Sequence, residues 1–284
     1  MRGSRLRAQG LGLTAQSLGL KAQGLGLRTA SGARLWAFGF GLVAALTVAC
    51  GTDSPRQDAP PAPATVPATS SVDLATVGSL RGSVTLTGTP PAAGPINRRS
   101  DPYCNQLGQA TTQTFVVSNG GLENVFVYVK DGLGDLKFPV PTTPVVLNQQ
   151  GCTYLPRVFG IQAGQPLEIL NSDETLHNIH ALPANNREFN RGQALKGLTH
   201  THVFTTAEVM VPFKCDVHNW MNTWVGVLDH PFYAVSGSGG AFEIQGLPPG
   251  TYIIEAWHEK LGAKTQTVTV GPKEAKDVSF AFTM

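Results

Sequence analysis

The chain has 284 residues, 32 of them glycine and 20 proline, and this length and abundance of turn-forming residues favour a β protein with one or two domains. Its formal net charge of +2 arises from residues 1–49, which hold six basic residues and no acidic one, so that the remainder carries 15 Lys+Arg against 19 Asp+Glu, a net charge of −4. A mildly acidic remainder lacks the basic surface that nucleic acids require, so nucleic-acid binding is excluded.

The N-terminal 49 residues have the pattern of an export signal. Arg28 and Arg34 precede the apolar run "LWAFGFGLVAALTVA", residues 35–49, which has the length of a signal-peptide core and is short for a membrane-spanning helix. The run ends in "LTVAC", which resembles the lipobox of bacterial lipoproteins, with Thr47 where that family usually has leucine. The resemblance implies cleavage before Cys50 and attachment of lipid to Cys50, which would anchor the protein to a membrane. An ordinary signal peptide and an uncleaved anchor are the alternatives.

Residues 50–77 are predicted to be a disordered linker. The stretch "GTDSPRQDAPPAPATVPATSSVDLATV" is rich in proline, alanine, threonine and serine, and it cannot bury enough apolar surface to fold. Its prolines favour a semi-extended tether between an anchored end and a globular body.

From Leu80 onward, alternating apolar residues and turn signals predict strands, and no segment keeps a helical period over three turns. The motif "SNGG" predicts a hairpin turn between two strands. The polar stretch 184–199 is the one place that could hold a short helix. The sequence therefore predicts an all-β fold, and the segments that predict strands include "LRGSVTLTG", "NVFVYVK", "TPVVLNQQG", "PLEILNSD", "HTHVFTTAEVMVPFK", "TWVGVLDH", "GAFEIQGL", "GTYIIEAWHEK", "TQTVTVGP" and "KDVSFAFTM".

The four cysteines of the chain have different predicted fates. If Cys50 carries lipid, three cysteines remain in an oxidising compartment, where thiols tend to pair. Cys104 and Cys152 lie in polar, turn-like contexts and are the predicted disulfide. Cys215 is then left free, and a thiolate bound to a metal ion resists pairing.

The stretch "FKCDVHNWM" places Cys215, His218 and Met221 at intervals of three residues. A further candidate ligand, His177, follows a predicted strand in "LEILNSDETLHNIH", where His180 is the alternative. Two imidazoles and one thiolate with a weak methionine ligand form the arrangement of blue-copper sites. The sequence therefore predicts one copper ion that cycles between Cu(I) and Cu(II). A buried free cysteine and a zinc site remain alternatives.

Four further side chains near these motifs have predicted roles. His200 and His202 alternate along one predicted strand and are expected to face solvent. Trp220 and Trp224 flank the ligand loop and are expected to pack there or to exclude water from the site.

The segments "NSDETLHN" (171–178), "VPFKCDVHNWM" (211–221) and "WVGVL" (224–228) together resemble the cupredoxins, the plastocyanin-like family. The resemblance implies an electron-transfer protein in which Asn178 ties the two ligand loops together and supports the sulfur. In that family the axial methionine usually stands just before the "VG" of the last strand, a place that Trp224 occupies here. The choice of Met221 as axial ligand therefore departs from the family pattern.

The C-terminal stretch "GAFEIQGLPPGTYIIEAWHEKLG" resembles the carboxypeptidase-regulatory-like, transthyretin-type β-sandwich, with Phe242 and Tyr252 at core positions. The opening strand of that module matches Gly82-Ser-Val84, far upstream. The resemblance implies a cupredoxin-like Greek-key sandwich inserted into a second, Ig/transthyretin-like sandwich, and two domains in tandem are the alternative. The predicted domains are residues 78–136 and 233–284 for the outer sandwich and 137–232 for the copper domain.

Together these features predict an exported copper protein that is lipid-anchored at the cell envelope and transfers electrons to or from a redox partner protein. We expect a monomer that is not an enzyme, because the sequence shows no second copper site, no paired acid and base and no substrate cleft. The alternatives are a lipoprotein for copper trafficking and a metal-free structural lipoprotein.

Overall fold

A computed structural model of the chain describes residues 72–284. The predicted signal segment, the proposed lipid attachment at Cys50 and most of the predicted linker lie outside these residues. From residue 72 to residue 284, no helix has the length and hydrophobicity that a bilayer crossing requires.

Strands make up almost all of the regular secondary structure of the described residues, so the predicted all-β fold class is confirmed. One α-helix, α1, spans Pro102–Gln106, and a 3-10 turn spans Ser238–Gly240. The strands, in chain order, are β1 Gly78–Thr87, β2 Pro95–Ile96, β3 Ala110–Thr111, β4 Val117–Ser118, β5 Gly121–Leu122, β6 Phe126–Asp131, β7 Val145–Gln149, β8 Tyr154–Leu155, β9 Val158–Gln162, β10 Pro166–Asn171, β11 His177–Ala181, β12 Phe189–Gln193, β13 Thr199–Val203, β14 Glu208–Lys214, β15 Asn222–Leu228, β16 Tyr233–Val235, β17 Ala241–Leu247, β18 Gly250–His258, β19 Gly262–Val270 and β20 Ala275–Thr283.

The strands form two β-sandwiches, each with its own apolar core. In the flanking sandwich, a sheet of β1, β4, β5, β17 and β20 packs on a sheet of β16, β6, β18 and β19. In the central sandwich, a sheet in the order β13-β10-β7-β8 packs on a sheet in the order β12-β11-β14-β15-β9. Side chains of alternate residues in these strands point inward, as in Pro166–Asn171, where every second residue is buried.

The central sandwich lies, in sequence, between the two halves of the flanking sandwich. Strand β1 pairs in parallel with β20, from Ser79 opposite Ala275 to Thr87 opposite Thr283, and it also pairs with β17. Both of these partners follow β15 in the chain. On either side of the central sandwich, the flanking sandwich has β6, which ends at Asp131, and β16, which begins at Tyr233. The exact domain boundaries, after residue 136 and after residue 232, stay predictions.

Local sequence signals account for the turn between β4 and β5. Asn119 and Gly120 have φ values of 51° and 78°, which asparagine and glycine adopt more readily than other residues. The predicted hairpin is present, although each of its two strands is only two residues long.

The helix predicted within residues 184–199 is wrong. The stretch contains β12, an edge strand paired with β11, in which Asn190 and Arg191 face solvent and Gln193 is buried. Helix α1 was not predicted, although Ser-Asp-Pro at residues 100–102 is a helix-start signal. The Asp101 side chain caps this helix by accepting a hydrogen bond from the backbone of Cys104.

Helix α1 belongs to a connection that leaves the flanking sandwich and lies against the central one. We call residues 95–112 the cover segment; it consists of the β2–β3 ladder and α1. A disulfide between Cys104 and Cys152 joins it to the turn between β7 and β8, which confirms the predicted pairing. Among the described cysteines, Cys215 alone is free.

Candidate metal centre

The sheet of β11, β14 and β15 brings the two predicted ligand loops together. Strands β11 and β14 are antiparallel, with His180 opposite Lys214 and Ala181 opposite Phe213. Continuation of this register past the strand end places His177, the first residue of β11, beside the loop that follows β14. That loop contains Cys215 and His218.

The ligand atoms of His177, Cys215 and His218 converge in one buried pocket. One atom from each lies within 4.8 Å of the other two. The Nδ1 atoms of the two histidines are 2.9 Å apart, and the Cys215 Sγ lies 3.9 Å from the His218 Nδ1. All three residues are at most 2% exposed, so water is largely excluded from the ligand atoms.

The surroundings of Cys215 favour the thiolate. Burial raises the pKa of this thiol, but hydrogen bonds from both imidazole rings and from two backbone N–H groups outweigh it and lower the pKa to about 6. One of these N–H groups, that of His218, lies 3.3 Å from the sulfur. A thiolate at neutral pH is the form that binds metal ions.

The outer nitrogen of each histidine faces a carboxylate. His177 Nε2 lies 2.9 Å from the Asp173 Oδ2, and His218 Nε2 lies 3.1 Å from the Asp101 Oδ2. Burial raises the pKa of both carboxyl groups, but hydrogen bonds from histidine and backbone groups hold each pKa below its ordinary value. The sequence reasoning missed both aspartates. The helix-start signal at residues 100–102 and the acidic residue in "NSDETLH" were the available clues, and neither indicates contact with a histidine.

Asn178 links β11 to the ligand loop. Its Oδ1 accepts a hydrogen bond of 2.7 Å from the backbone N–H of Asp216, the residue after Cys215. Its Nδ2 donates to the Asn190 Oδ1 at 2.6 Å, and its backbone oxygen accepts from the Tyr154 hydroxyl. This is the position in which the resemblance expects an asparagine to join the two loops.

His180 lies apart from the three converging ligands. Its Nδ1 is 2.9 Å from the Asp216 Oδ2, and its Nε2 is 2.8 Å from the Glu188 Oε1. His177 and His180 are an odd number of residues apart on one strand, so their side chains point to opposite faces of the sheet. His177, which points inward, is the histidine that meets Cys215 and His218.

Met221 is 1% exposed and belongs to the same apolar cluster as Cys215. Its backbone oxygen accepts a hydrogen bond of 3.1 Å from the Cys215 N–H, which closes the ligand loop. Its role as a weak axial ligand stays a prediction.

The two tryptophans near the loop occupy different environments. The Trp220 ring packs on His218 with centroids 4.9 Å apart, and its Nε1 donates to the Cys152 backbone oxygen at 2.9 Å. The Trp224 ring instead packs on Trp257 of the flanking sandwich, at 5.2 Å. Trp220 therefore flanks the site as expected, whereas Trp224 belongs to the contact between the sandwiches.

The expected solvent exposure of two histidines on β13 also differs from the structure. His200 and His202 are both half-buried. The His202 ring stacks on Phe189 with centroids 4.0 Å apart. Alternation along β13 placed both rings on the covered face of the strand.

The donor set fits a soft or borderline metal ion. Two imidazole nitrogens and one thiolate suit copper and also zinc, and the buried pocket excludes competing water. The ordinary closed zinc site has four strong ligands, whereas three strong ligands with an adjacent methionine are typical of mononuclear copper.

Comparisons with known proteins find similar solved structures at TM-scores of 0.26 to 0.29. No protein-family model and no curated protein matches the chain. The structure is similar to a purple cupredoxin from Nitrosopumilus maritimus, with 22% identity, coverage of 29% of this chain and 98% of that chain, and a TM-score of 0.26. It is similar to the Cu(I) form of an amicyanin mutant, with 20% identity, coverage of 31% and 85%, and a TM-score of 0.27.

A copper-containing nitrite reductase from Thermus scotoductus shares 14% identity with the chain. The match covers 52% of this chain and 28% of the reductase, with a TM-score of 0.29.

Proposed function

We propose that the protein is a mononuclear copper protein that transfers electrons, with a cupredoxin-like central sandwich. His177, Cys215 and His218 would hold the ion strongly, and Met221 would bind it weakly. The observation that carries the proposal is the convergence of two imidazole Nδ1 atoms and one low-pKa thiol in a single buried pocket. These residues come from the start of β11 and from the loop after β14, which are 38 positions apart in the chain at the nearest.

A copper ion bound there would supply one-electron exchange between Cu(I) and Cu(II). The chain would contribute ligands of fixed position, since the imidazole rings are held by neighbouring side chains and the sulfur by backbone N–H groups. A rigid site that differs little between the two oxidation states reduces the rearrangement that accompanies electron transfer. The burial of the three ligands would limit the access of water to a bound ion.

The proposed setting is the cell envelope. The Cys104–Cys152 disulfide is consistent with an oxidising compartment outside the cytoplasm. We propose export by the N-terminal signal, anchoring through lipid on Cys50, a redox partner protein and no enzymatic activity of its own. We also propose that the copper domain is an insertion in the flanking sandwich.

The test is to load the purified full-length protein with Cu(II) and record its optical and paramagnetic spectra. We expect an intense visible thiolate-to-copper band that disappears on reduction and returns on oxidation. The Cys215→Ser and His177→Gln variants should lose this band, because each removes a strong ligand. The matched control is His180→Gln, which removes a histidine three residues away and should keep the band.

Three results would contradict the proposal. A wild-type protein that binds no copper would leave only a structural role. Tight Cu(I) binding without the visible band would indicate copper storage or delivery. A band that survives Cys215→Ser would place the site elsewhere in the chain.

A further inference from the structure

Each candidate ligand histidine contacts a carboxylate through its Nε2 atom, and the carboxylate of Asp173 is buried while that of Asp101 is half-buried. The side chains of His177 and Asp173 are 0% and 2% exposed, and those of His218 and Asp101 are 1% and 15% exposed. Each pair joins the imidazole Nε2 to a carboxylate Oδ2, at 2.9 Å for Asp173 and 3.1 Å for Asp101. The Nδ1 atoms of the two rings therefore face each other and the sulfur.

Each carboxylate accepts a hydrogen bond from the backbone N–H of one of the two disulfide-bonded cysteines. Asp101 Oδ1 accepts from the Cys104 N–H at 2.8 Å, and Asp173 Oδ2 accepts from the Cys152 N–H at 2.7 Å. The Cys104–Cys152 bond makes these two segments one covalent frame. The frame joins the cover segment, which comes from the flanking sandwich, to the central sandwich that carries the ligands.

Each carboxylate also accepts hydrogen bonds from other groups. Asp101 Oδ2 accepts from the Thr175 hydroxyl at 2.7 Å. Asp173 Oδ1 accepts from the Gly151 N–H at 2.8 Å and from the Tyr103 hydroxyl at 3.2 Å. Since Tyr103 belongs to the cover segment, that segment touches both carboxylates.

These contacts determine which nitrogen of each ring is free. An ionised carboxylate only accepts hydrogen bonds, so each imidazole must present its N–H at Nε2. The two Nδ1 atoms, 2.9 Å apart, are then the nitrogens available to a metal ion. A proton held at either Nδ1 in the metal-free protein would be displaced when a metal ion binds there.

We propose that Asp101 and Asp173 are positioning residues that fix the tautomer and orientation of His218 and His177 and favour the oxidised, more positively charged state of the bound copper. This inference rests on the proposed function. The aspartates act through the histidines, because their negative charge makes each imidazole a stronger donor, and partners of this kind commonly alter metal affinity by about 10–100-fold. The cover segment is thereby part of the metal centre.

The experiment compares full-length Asp101→Asn and Asp173→Asn variants with the wild-type protein. Affinities for Cu(I) and Cu(II) are measured by chelator competition, and the midpoint potential by spectroscopic titration. Each substitution keeps the size of the side chain but removes its charge. We expect the preference for Cu(II) over Cu(I) to fall about tenfold or more in each variant, which for a one-electron couple corresponds to a rise of about 59 mV in the midpoint potential.

The matched control is Asp277→Asn. Asp277 pairs with Arg81 at 2.9 Å on the exposed surface of the flanking sandwich, and its loss should leave the potential unchanged. If the buried Asp173 variant fails to fold, Asp101→Asn and Thr175→Val still test the proposal, since Thr175 holds the carboxylate of Asp101 without touching a ligand.

The outcomes separate this inference from the proposed function. If the wild type lacks the thiolate-to-copper band, the proposed function fails and this inference fails with it. If the wild type has the band and the aspartate variants keep its midpoint potential, only this inference is overturned. A purely structural role would weaken Cu(I) and Cu(II) binding equally, so an unchanged ratio of the two affinities would also overturn it.

Discussion

Asn178 shows how a single side chain holds two segments of the site in register. It is 6% exposed and bonds through its side chain to the backbone of Asp216 and to the side chain of Asn190. The first of these bonds joins the strand that begins with His177 to the loop that begins with Cys215. Removal of the Asn178 side chain would leave the backbone N–H of Asp216 without its hydrogen-bond acceptor.

We predict that Asn178→Ala lowers the free energy of unfolding of the copper-free protein by about 1–3 kcal/mol, because the Asp216 N–H loses its acceptor. Denaturant titration followed by tryptophan fluorescence measures this change. The matched control is Asn190→Ala, which removes an exposed partner of the same amide and should cost less than about 1 kcal/mol. Equal losses of unfolding free energy in the two variants would show that the hydrogen bond to Asp216 does not stabilise the protein more than the one to Asn190 does.

At the scale of one element, strand β13 shows how an edge strand combines polar and apolar roles. Thr199, Thr201 and Val203 are exposed, whereas His200 and His202 are half-buried on the opposite face. The His202 ring stacks on Phe189 of β12 and meets Phe204 edge-on. Burial, together with the neighbouring His200, lowers the pKa of His202 to about 4.

This strand should make stability depend on pH. Because the ordinary pKa is 6.5 and the folded-state pKa is about 4, the unfolded state binds more protons between these values. The contribution of neutral His202 is therefore complete above about pH 6.5 and is lost as the pH falls toward about 4. We predict a shallower loss of unfolding free energy over this range in His202→Phe, which keeps an aromatic ring on Phe189 but does not titrate.

Denaturant titrations at several pH values measure this dependence, and Thr201→Ser on the same strand should behave as the wild type does. Part of the dependence should remain in His202→Phe, because burial also lowers the pKa of His230 and His258. If the slope of unfolding free energy against pH is the same in His202→Phe as in the wild type, His202 is not a source of the pH dependence.

At the scale of the whole molecule, the two sandwiches meet through aromatic rings that pack on glycines. Phe126 and Tyr233 of the flanking sandwich stack with centroids 5.5 Å apart. They face Gly226 and Gly160, which pair across β15 and β9 of the central sandwich. The Tyr233 hydroxyl also donates to the Gly160 backbone oxygen at 2.8 Å.

A buried ion pair and the disulfide add to this contact. Arg157 Nη2 lies 2.5 Å from the Glu259 Oε1, with both side chains largely covered. The cover segment crosses from one sandwich to the other and is fixed there by the Cys104–Cys152 bond. These contacts between the two sandwiches are therefore expected to stabilise both of them.

We predict that Gly226→Ala destabilises the protein by about 1–3 kcal/mol, the usual cost of overpacking. A Cβ atom there would lie 2.3 Å from the Phe126 Cζ, so the ring or the strand must move. Thermal unfolding monitored by circular dichroism measures the effect. The control is Gly94→Ala, where a Cβ atom would meet nothing within 4 Å and the change should stay within about 0.5 kcal/mol. Similar losses in both variants would argue against the close packing of Gly226.

Local patterns in the sequence predicted much of this protein. Alternating apolar residues indicated the strands because the side-chain period of a strand is two, and the Asn-Gly turn indicated a hairpin because both residues tolerate positive φ. The short spacing from Cys215 to His218 indicated a shared ligand loop because it fits within one turn between strands. The Cys104–Cys152 pair followed from counting thiols in an oxidising compartment.

Only the tertiary structure decided the choice between His177 and His180 and the identity of the groups behind the ligands. Alternation along β11 requires the two histidines to face opposite ways, but which one faces Cys215 depends on how the two sheets pack. Asp101 meets His218 across 117 positions of sequence, a contact that no local spacing can indicate. The physical reason is that strand periods and turn preferences act over a few residues, whereas the pairing of sheets and the path of the cover segment depend on burial of the whole chain.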